Sequence, residues 1–114
     1  MHDIPNRLAD VLLEVEANLR ISGKWDKKPP PMSKLSSAQP FCIDTLCFEQ
    51  WLQWIFLPRM KQILEQQHPL PAQSGIYAYA QESLGKKQAG TSQLLRLIKR
   101  FDELIGIQQN ANWH

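Results

Sequence analysis

Two cysteines and three histidines are the residues in this chain of 114 that offer a thiol or an imidazole for nucleophilic catalysis or metal binding. Cys42 and Cys47 have four residues between them, and no second cysteine pair exists to complete a zinc knuckle. His68 would have to approach Cys47 to activate it, but no nucleophile elbow or comparable motif accompanies them. His2 and His114 stand near the two ends of the sequence. We therefore expect no metal site, no cofactor and no enzymatic activity.

Residues 85–92, GKKQAGTS, have two glycines at the separation found in phosphate-binding loops. The segment lacks the lysine that directly precedes the Ser/Thr position, and it follows a predicted helix instead of a strand, so nucleotide hydrolysis is rejected. Amides at the start of the next helix, beside Lys86 and Lys87, could still hold a phosphate. Asp102 and Glu103 are adjacent on a helix and face different directions, so we interpret them as solvated charges.

The segment most suited to binding another protein is residues 48–60, FEQWLQWIFLPRM. On a regular helix its broad core face would consist of Phe48, Trp51, Leu52, Ile55, Phe56 and Ile63. Trp54 points roughly opposite that face, and Leu57 lies between. Such residues are either buried in a central helix or present a second apolar face to a partner. Burial is the commoner outcome for Trp54.

Pro58 is expected to kink this helix, because it removes a hydrogen bond and clashes with the carbonyl of Trp54. In a straight helix Arg59 would enter the apolar face, so we expect the kink to rotate it outward or an acceptor such as Asp44 or Glu49 to pair with it. The candidate partner-binding residues are Trp54, Leu57, Pro58 and Arg59.

A basic group provides the alternative candidate, which is anion or RNA binding. Its members are Lys86, Lys87, Arg96, Lys99 and Arg100. Basic patches attract RNA or acidic partners. The net charge of the chain is only +2, and Asp102 and Glu103 dilute the patch. A charged outer face is also what any amphipathic helix shows.

Hydrophobic periodicity predicts four helices that position these residues. They cover residues 4–21, 44–67, 76–84 and 92–105. In the first, Glu16 and Arg20 are spaced to form an i,i+4 ion pair. This pattern predicts an all-α four-helix bundle with the second helix at or near its centre.

A long proline-rich crossover, residues 23–43, separates the first two predicted helices. Trp25 and Phe41 are apolar, so we expect the crossover to lie against the bundle, where it could also help to dock a partner.

Length and composition predict one domain over residues 1–114. Three further features predict a cytoplasmic location. Two cysteines are too few for the disulfide framework of a small secreted protein. The N-terminal residues lack the charged and apolar regions of a signal peptide. The longest run of bulky apolar residues, 54–57, is too short to span a bilayer, so no membrane association is expected.

Five short blocks connect the sequence with a known family. They are QPF at 39–41, DT at 44–45, WLQW at 51–54, PRM at 58–60 and PLP at 69–71. In this order, along nearly the whole chain, they resemble the YqcC-like family of small bacterial proteins of unassigned function. The resemblance implies an all-helical bundle in the bacterial cytosol, often encoded beside a tRNA pseudouridine synthase. It supplies no catalytic residue.

The sequence therefore predicts a non-enzymatic module that binds an unidentified protein through Trp54, Leu57 and the crossover. The alternative is an RNA-associated accessory factor linked to tRNA modification. A second apolar face would also allow a homodimer.

Overall fold

The computed structural model describes residues 4–71, 75–84 and 91–111, with side chains described as far as residue 107. Within these ranges the regular structure is entirely helical, which confirms the predicted all-α class. The helices are α1 (Ile4–Ile21), α2 (Met32–Leu35), α3 (Phe48–Trp51), α4 (Leu57–Glu65), α5 (Ile76–Leu84) and α6 (Thr91–Ala111). A 3-10 turn lies at Pro40–Cys42. Lys86 and Lys87 lie outside the described residues.

A π-helical turn at Leu52–Phe56 joins α3 to α4, so that residues 48–65 form one composite helix. In this turn the N–H of Leu57 donates to the carbonyl of Leu52, five residues earlier instead of the usual four. Pro58 follows directly, and in a regular helix its ring would clash with the carbonyl of Trp54. The wider turn relieves that clash at the place where a kink was predicted.

Compared with a regular α-helix of the same sequence, the additional residue in the π turn rotates the rest of the composite helix by about 100°. Leu57, predicted to lie off the core face, consequently enters the core and is only 1% exposed. Met60 is buried beside it. Arg59 is rotated outward and exposed, as predicted. Within the described part of the chain, Arg59 forms no ion pair with Asp44 or Glu49.

The composite helix begins at Phe48, later than the predicted start at residue 44. The hydroxyl of Thr45 donates to the carbonyl of Lys34 at 2.7 Å, and the carboxylate of Asp44 accepts from the hydroxyl of Ser37. These two polar side chains therefore stabilise the crossover instead of starting the helix, which is why the predicted boundary was wrong.

The hydrophobic core lies between α1, the composite helix, α5 and α6. The most extensive contact between described helices joins α1 and α6, so the composite helix is not the sole centre of the bundle. α4 packs against α1, and α5 packs against α6. Trp25 and Phe41 of the crossover pack on this core, as predicted.

Two glycines are expected to respond in opposite directions to replacement by alanine. Gly23 follows α1 with a φ of 76°, which disfavours a side chain, so Gly23→Ala should lower the free energy of unfolding by about 1 kcal/mol. Gly106 lies inside α6, and a methyl group there would meet no atom within 4 Å. Gly106→Ala should raise the free energy of unfolding by about 0.5–1 kcal/mol. Urea denaturation measures both, and shifts of the same sign would contradict this account.

Candidate functional site

A buried glutamine attaches the crossover to the composite helix. Gln53 is only 4% exposed, although it lies in an apolar stretch. Its Oε1 accepts from the backbone N–H of Asp26 and its Nε2 donates to the carbonyl of Asp26, both at 2.8 Å. Gln50 adds a longer bond of 3.3 Å to the carboxylate of Asp26. This arrangement, called here the Gln53 clasp, satisfies both backbone polar groups of one crossover residue.

Beside the clasp lies a surface cleft of about 450 Å³, called here the tryptophan cleft. Trp25 comes from the crossover, Trp54 from the π turn, and Leu57 and Pro58 from the start of α4. The structure thus brings three of the four predicted partner-binding residues, Trp54, Leu57 and Pro58, to one site. Because Leu57 is buried, it shapes the wall of the cleft and offers almost no contact surface.

Sequence reasoning missed most of the polar members of this cleft. Arg20, Lys27, Gln53 and Lys61 all line it. A glutamine within the apolar block WLQW was a signal that could have identified Gln53, because a polar side chain at such a position needs a partner. No local pattern associates Lys61 with α1 or the crossover.

An ion bridge connects α1 to α4 at the cleft. Arg20 Nη2 lies 2.9 Å from one carboxylate oxygen of Glu16, and Lys61 Nζ lies 3.1 Å from the other. The contact between Arg20 and Glu16 confirms the predicted i,i+4 pair. Burial raises the pKa of Glu16, but Lys61 and Arg20 together lower it by more than burial raises it. The pKa of Glu16 therefore lies below its usual value. Glu16 is therefore ionised at neutral pH.

The two tryptophans of the cleft differ in their polar environment. The guanidinium carbon of Arg20 lies 4.4 Å from the centre of the Trp25 ring, which is a cation–π contact. Trp54 is half-buried, neither on the solvent side nor fully inside the core. Its Nε1 is buried and has no acceptor among the described residues. Trp54 therefore has a hydrogen-bond donor that the fold leaves unsatisfied.

Arg59, the fourth predicted partner-binding residue, belongs to a different cleft. That cleft has a volume of about 280 Å³, and its aromatic lining includes Phe41 and Trp51. Phe41 has a φ of 58°, which costs a residue with a side chain about 1–2 kcal/mol. Its ring stacks on Tyr79 at 4.4 Å and meets Trp51 edge-on at 4.9 Å, and these contacts hold the backbone there.

The described part of the basic group lies on the outer face of α6. Arg96, Lys99 and Arg100 are all exposed. Arg100 lines a cleft with Arg7, Asp10 and Glu14 of α1. These carboxylates weaken the positive potential at that end of the group.

Asp102, predicted to be a solvated charge, has a structural role. Its carboxylate accepts from the backbone N–H of Tyr77 at 2.9 Å, which stabilises the first turn of α5. Glu103 is exposed. The interpretation as solvated charges was therefore wrong for Asp102. It considered α6 alone, whereas α5 packs against α6 and brings the N–H of Tyr77 to this carboxylate.

In the described part of the chain, no hydrogen bond joins either cysteine to His68. Cys42 is buried, Cys47 is exposed, and both are free thiols. His68 forms a 2.6 Å hydrogen bond with Gln66. Across residues 4–71, 75–84 and 91–111, no group of three or more histidine, cysteine or acidic residues is placed to hold a metal ion. In the same residues no helix has the length and apolar character required to cross a bilayer.

These elements define an all-α protein with a clasped crossover and a tryptophan-lined surface cleft. A family model described as "tRNA pseudouridine synthase C" matches residues 7–104. The solution NMR structure of protein YqcC from Escherichia coli is similar, with a TM-score of 0.79 and 29% identity. The similarity covers 90% of this chain and 87% of that one. The chain belongs to this family of YqcC-like proteins, as the sequence blocks predicted.

Three curated relatives are similar to this chain over different parts of their length. An uncharacterized protein of Haemophilus influenzae is 33% identical over 99 residues, covering 87% of this chain and 92% of that protein. Uncharacterized protein YqcC of Escherichia coli is 31% identical over 94 residues, covering 82% and 86%. A protein of Pectobacterium carotovorum named tRNA pseudouridine synthase C is 41% identical over 66 residues, which are 58% of this chain and 18% of that protein.

Proposed function

We propose that this protein is a non-enzymatic cytoplasmic interaction module that acts with a tRNA pseudouridine synthase and docks on it through the tryptophan cleft. The choice of partner is supported by the Pectobacterium carotovorum relative. In that protein the region similar to this chain is 18% of a longer polypeptide named as the synthase. Joining two modules in one chain gives them a high effective concentration, whereas separate chains need an interface to achieve the same association.

The tryptophan cleft is the observation that carries the docking role. Tryptophan and arginine are the residues that most often dominate the energy of protein interfaces. Here Trp25, Trp54 and Arg20 line one concave surface. The Gln53 clasp holds the crossover wall in place before a partner arrives, which lowers the entropy lost on binding.

Binding of the synthase encoded by the same organism tests this proposal. Biolayer interferometry with purified proteins should detect a complex with the unaltered chain, and Trp54→Ala should weaken it by about tenfold or more. Met32→Ala is the control, because Met32 is an apolar residue that is 74% exposed outside the cleft. Thermal unfolding of each variant verifies that it is folded. Absence of a complex at micromolar concentrations, or equal effects of the two substitutions, would contradict the proposal.

The exposed face of α6 favours a second candidate, an RNA-associated accessory factor. Arg96 and Lys99 are one helical turn apart and both are exposed. If they bind phosphates of tRNA, the affinity should fall steeply as the salt concentration rises. Arg96→Ala/Lys99→Ala should then reduce the slope of log K against log salt concentration by about 1 for each phosphate that is no longer neutralised. Lys24→Ala/Lys34→Ala is the control with the same change in charge. Binding that is insensitive to salt would remove this candidate.

A further inference from the structure

We propose that the tryptophan cleft receives an acidic segment of the partner protein. Carboxylates of that segment bind Arg20, Lys27 and Lys61, and an apolar side chain packs against Trp54 and Pro58. This inference rests on the proposed function, because it names the chemistry that the docking surface recognises.

The charges around the cleft support an acidic occupant. Three of its lining residues are cations, whereas Asp26 is the one carboxylate among those described. The carboxylate of Asp26 already accepts from Gln50 Nε2 at 3.3 Å. Lys27 is exposed and forms no ion pair with any described residue. The surface is therefore complementary to negative charge, which speeds the encounter of partners and sets their orientation.

Glu16 shows how a carboxylate is held at this site. It contacts Arg20 at 2.9 Å and Lys61 at 3.1 Å, so one internal anion occupies both cations between α1 and α4. Arg20 and Lys61 are each about half exposed, at 56% and 46% of their side-chain surface, and can rotate toward an incoming group. Glu16 is therefore an internal competitor of the acidic segment.

A neighbouring apolar cleft provides space for the rest of the segment. It has a volume of about 350 Å³, and it shares Lys61 with the tryptophan cleft. Its apolar lining consists of Ala9, Leu12, Leu13 and Leu64, of which Leu13 is 62% exposed, and Glu65 lines it together with Lys61. A chain that places a carboxylate at Lys61 thus has apolar surface on both sides of it.

The ring contacts favour protein over RNA at this cleft. Bases of single-stranded RNA bind by stacking on open aromatic faces. One face of the Trp25 ring is already covered by Arg20, at 4.4 Å from its centre. The other tryptophan, Trp54, is half-buried, so it presents only part of its ring to an incoming base.

Three charge variants test the inference with the synthase of the same organism as the probe. Lys27→Glu should weaken binding by about fivefold, because it reverses a cation without breaking an ion pair. Glu16→Gln should strengthen binding by about two- to threefold, because it releases Arg20 and Lys61 from their internal anion. Lys34→Glu makes the same change in charge as Lys27→Glu outside the cleft and should leave the affinity unchanged. Thermal unfolding of each variant provides the folding control.

The opposite signs expected for Lys27→Glu and Glu16→Gln separate recognition from structural damage, which would weaken binding in both. If Trp54→Ala abolishes binding while these two charge variants leave it unchanged, docking at the cleft stands and the acidic segment is refuted. If the unaltered chain fails to bind the synthase, the proposed function itself fails. Displacement of the synthase by tRNA, with the same response to the variants, would assign the cleft to RNA. A dimer of this chain that Lys27→Glu dissociates would assign the cleft to a second copy, which also overturns the inference.

Discussion

Phe101→Ala is expected to remove about 3–5 kcal/mol from the free energy of unfolding, the largest effect of any single substitution considered. Phe101 lies in α6 and is only 1% exposed. Its ring meets that of Phe56 edge-on, with the centres 4.9 Å apart and the planes at 80°. The substitution removes the favourable free energy of burying an aromatic ring, and it leaves a cavity between α6 and the composite helix.

Urea denaturation followed by circular dichroism measures this loss. Domains of this size have a total stability of about 5–15 kcal/mol, so Phe101→Ala could unfold the protein. Phe101→Leu retains much of the volume and should cost about 1–2 kcal/mol, which stays measurable. Ile107→Ala on the same helix is the control, because Ile107 is 48% exposed and should cost less than about 0.5 kcal/mol. If Phe101→Ala lowers the free energy of unfolding no more than Ile107→Ala does, the described packing between α6 and the composite helix is contradicted.

Gln53→Met is expected to cost about 2–4 kcal/mol and to release the crossover. Methionine has a similar volume but lacks the amide, so the N–H and the carbonyl of Asp26 both lose their partner. Each buried backbone group left without a hydrogen bond costs about 1–3 kcal/mol. The total is limited by the local alternative, in which the segment around Asp26 detaches and is solvated.

Hydrogen exchange distinguishes local release from a general loss of stability. The amide of Asp26 should lose its protection in Gln53→Met, whereas amides in the middle of α1 should change only as much as the global stability does. Gln62→Ala, an exposed glutamine of the same composite helix, should leave both unchanged. If the amide of Asp26 remains protected in Gln53→Met, the Gln53 clasp does not hold the crossover.

Local sequence patterns predicted the helices well where one rule dominated. α1 and α5 occupy their predicted bounds because apolar periodicity and the adjoining turn residues agree. The start of the composite helix was predicted too early because Asp44 and Thr45 suit either a helix start or a loop, and partners distant in sequence decide between these.

The candidate site was less predictable because it depends on tertiary pairing. Trp54 and Pro58 were identified from the composition of one stretch. Gln53 acquires its role only when Asp26, 27 residues away in sequence, packs against it. Lys61 acquires its role through Glu16, 45 residues away. Local sequence patterns extend over only a few residues, so they could not predict contacts between residues this far apart in the sequence.

The π turn at Leu52–Phe56 also determines which changes in length this segment tolerates. Deleting one residue there would convert the π turn into a regular α-helical turn, and every later residue of the composite helix would keep its present facing, because the residue removed is the one that the wider turn absorbs. A one-residue gap in a regular turn before Met60 would instead rotate the residues after it by about 100° and take Leu57 or Met60 out of the core. Chain shortening in engineered versions of this fold is therefore better placed within the π turn than in the regular turns beside it.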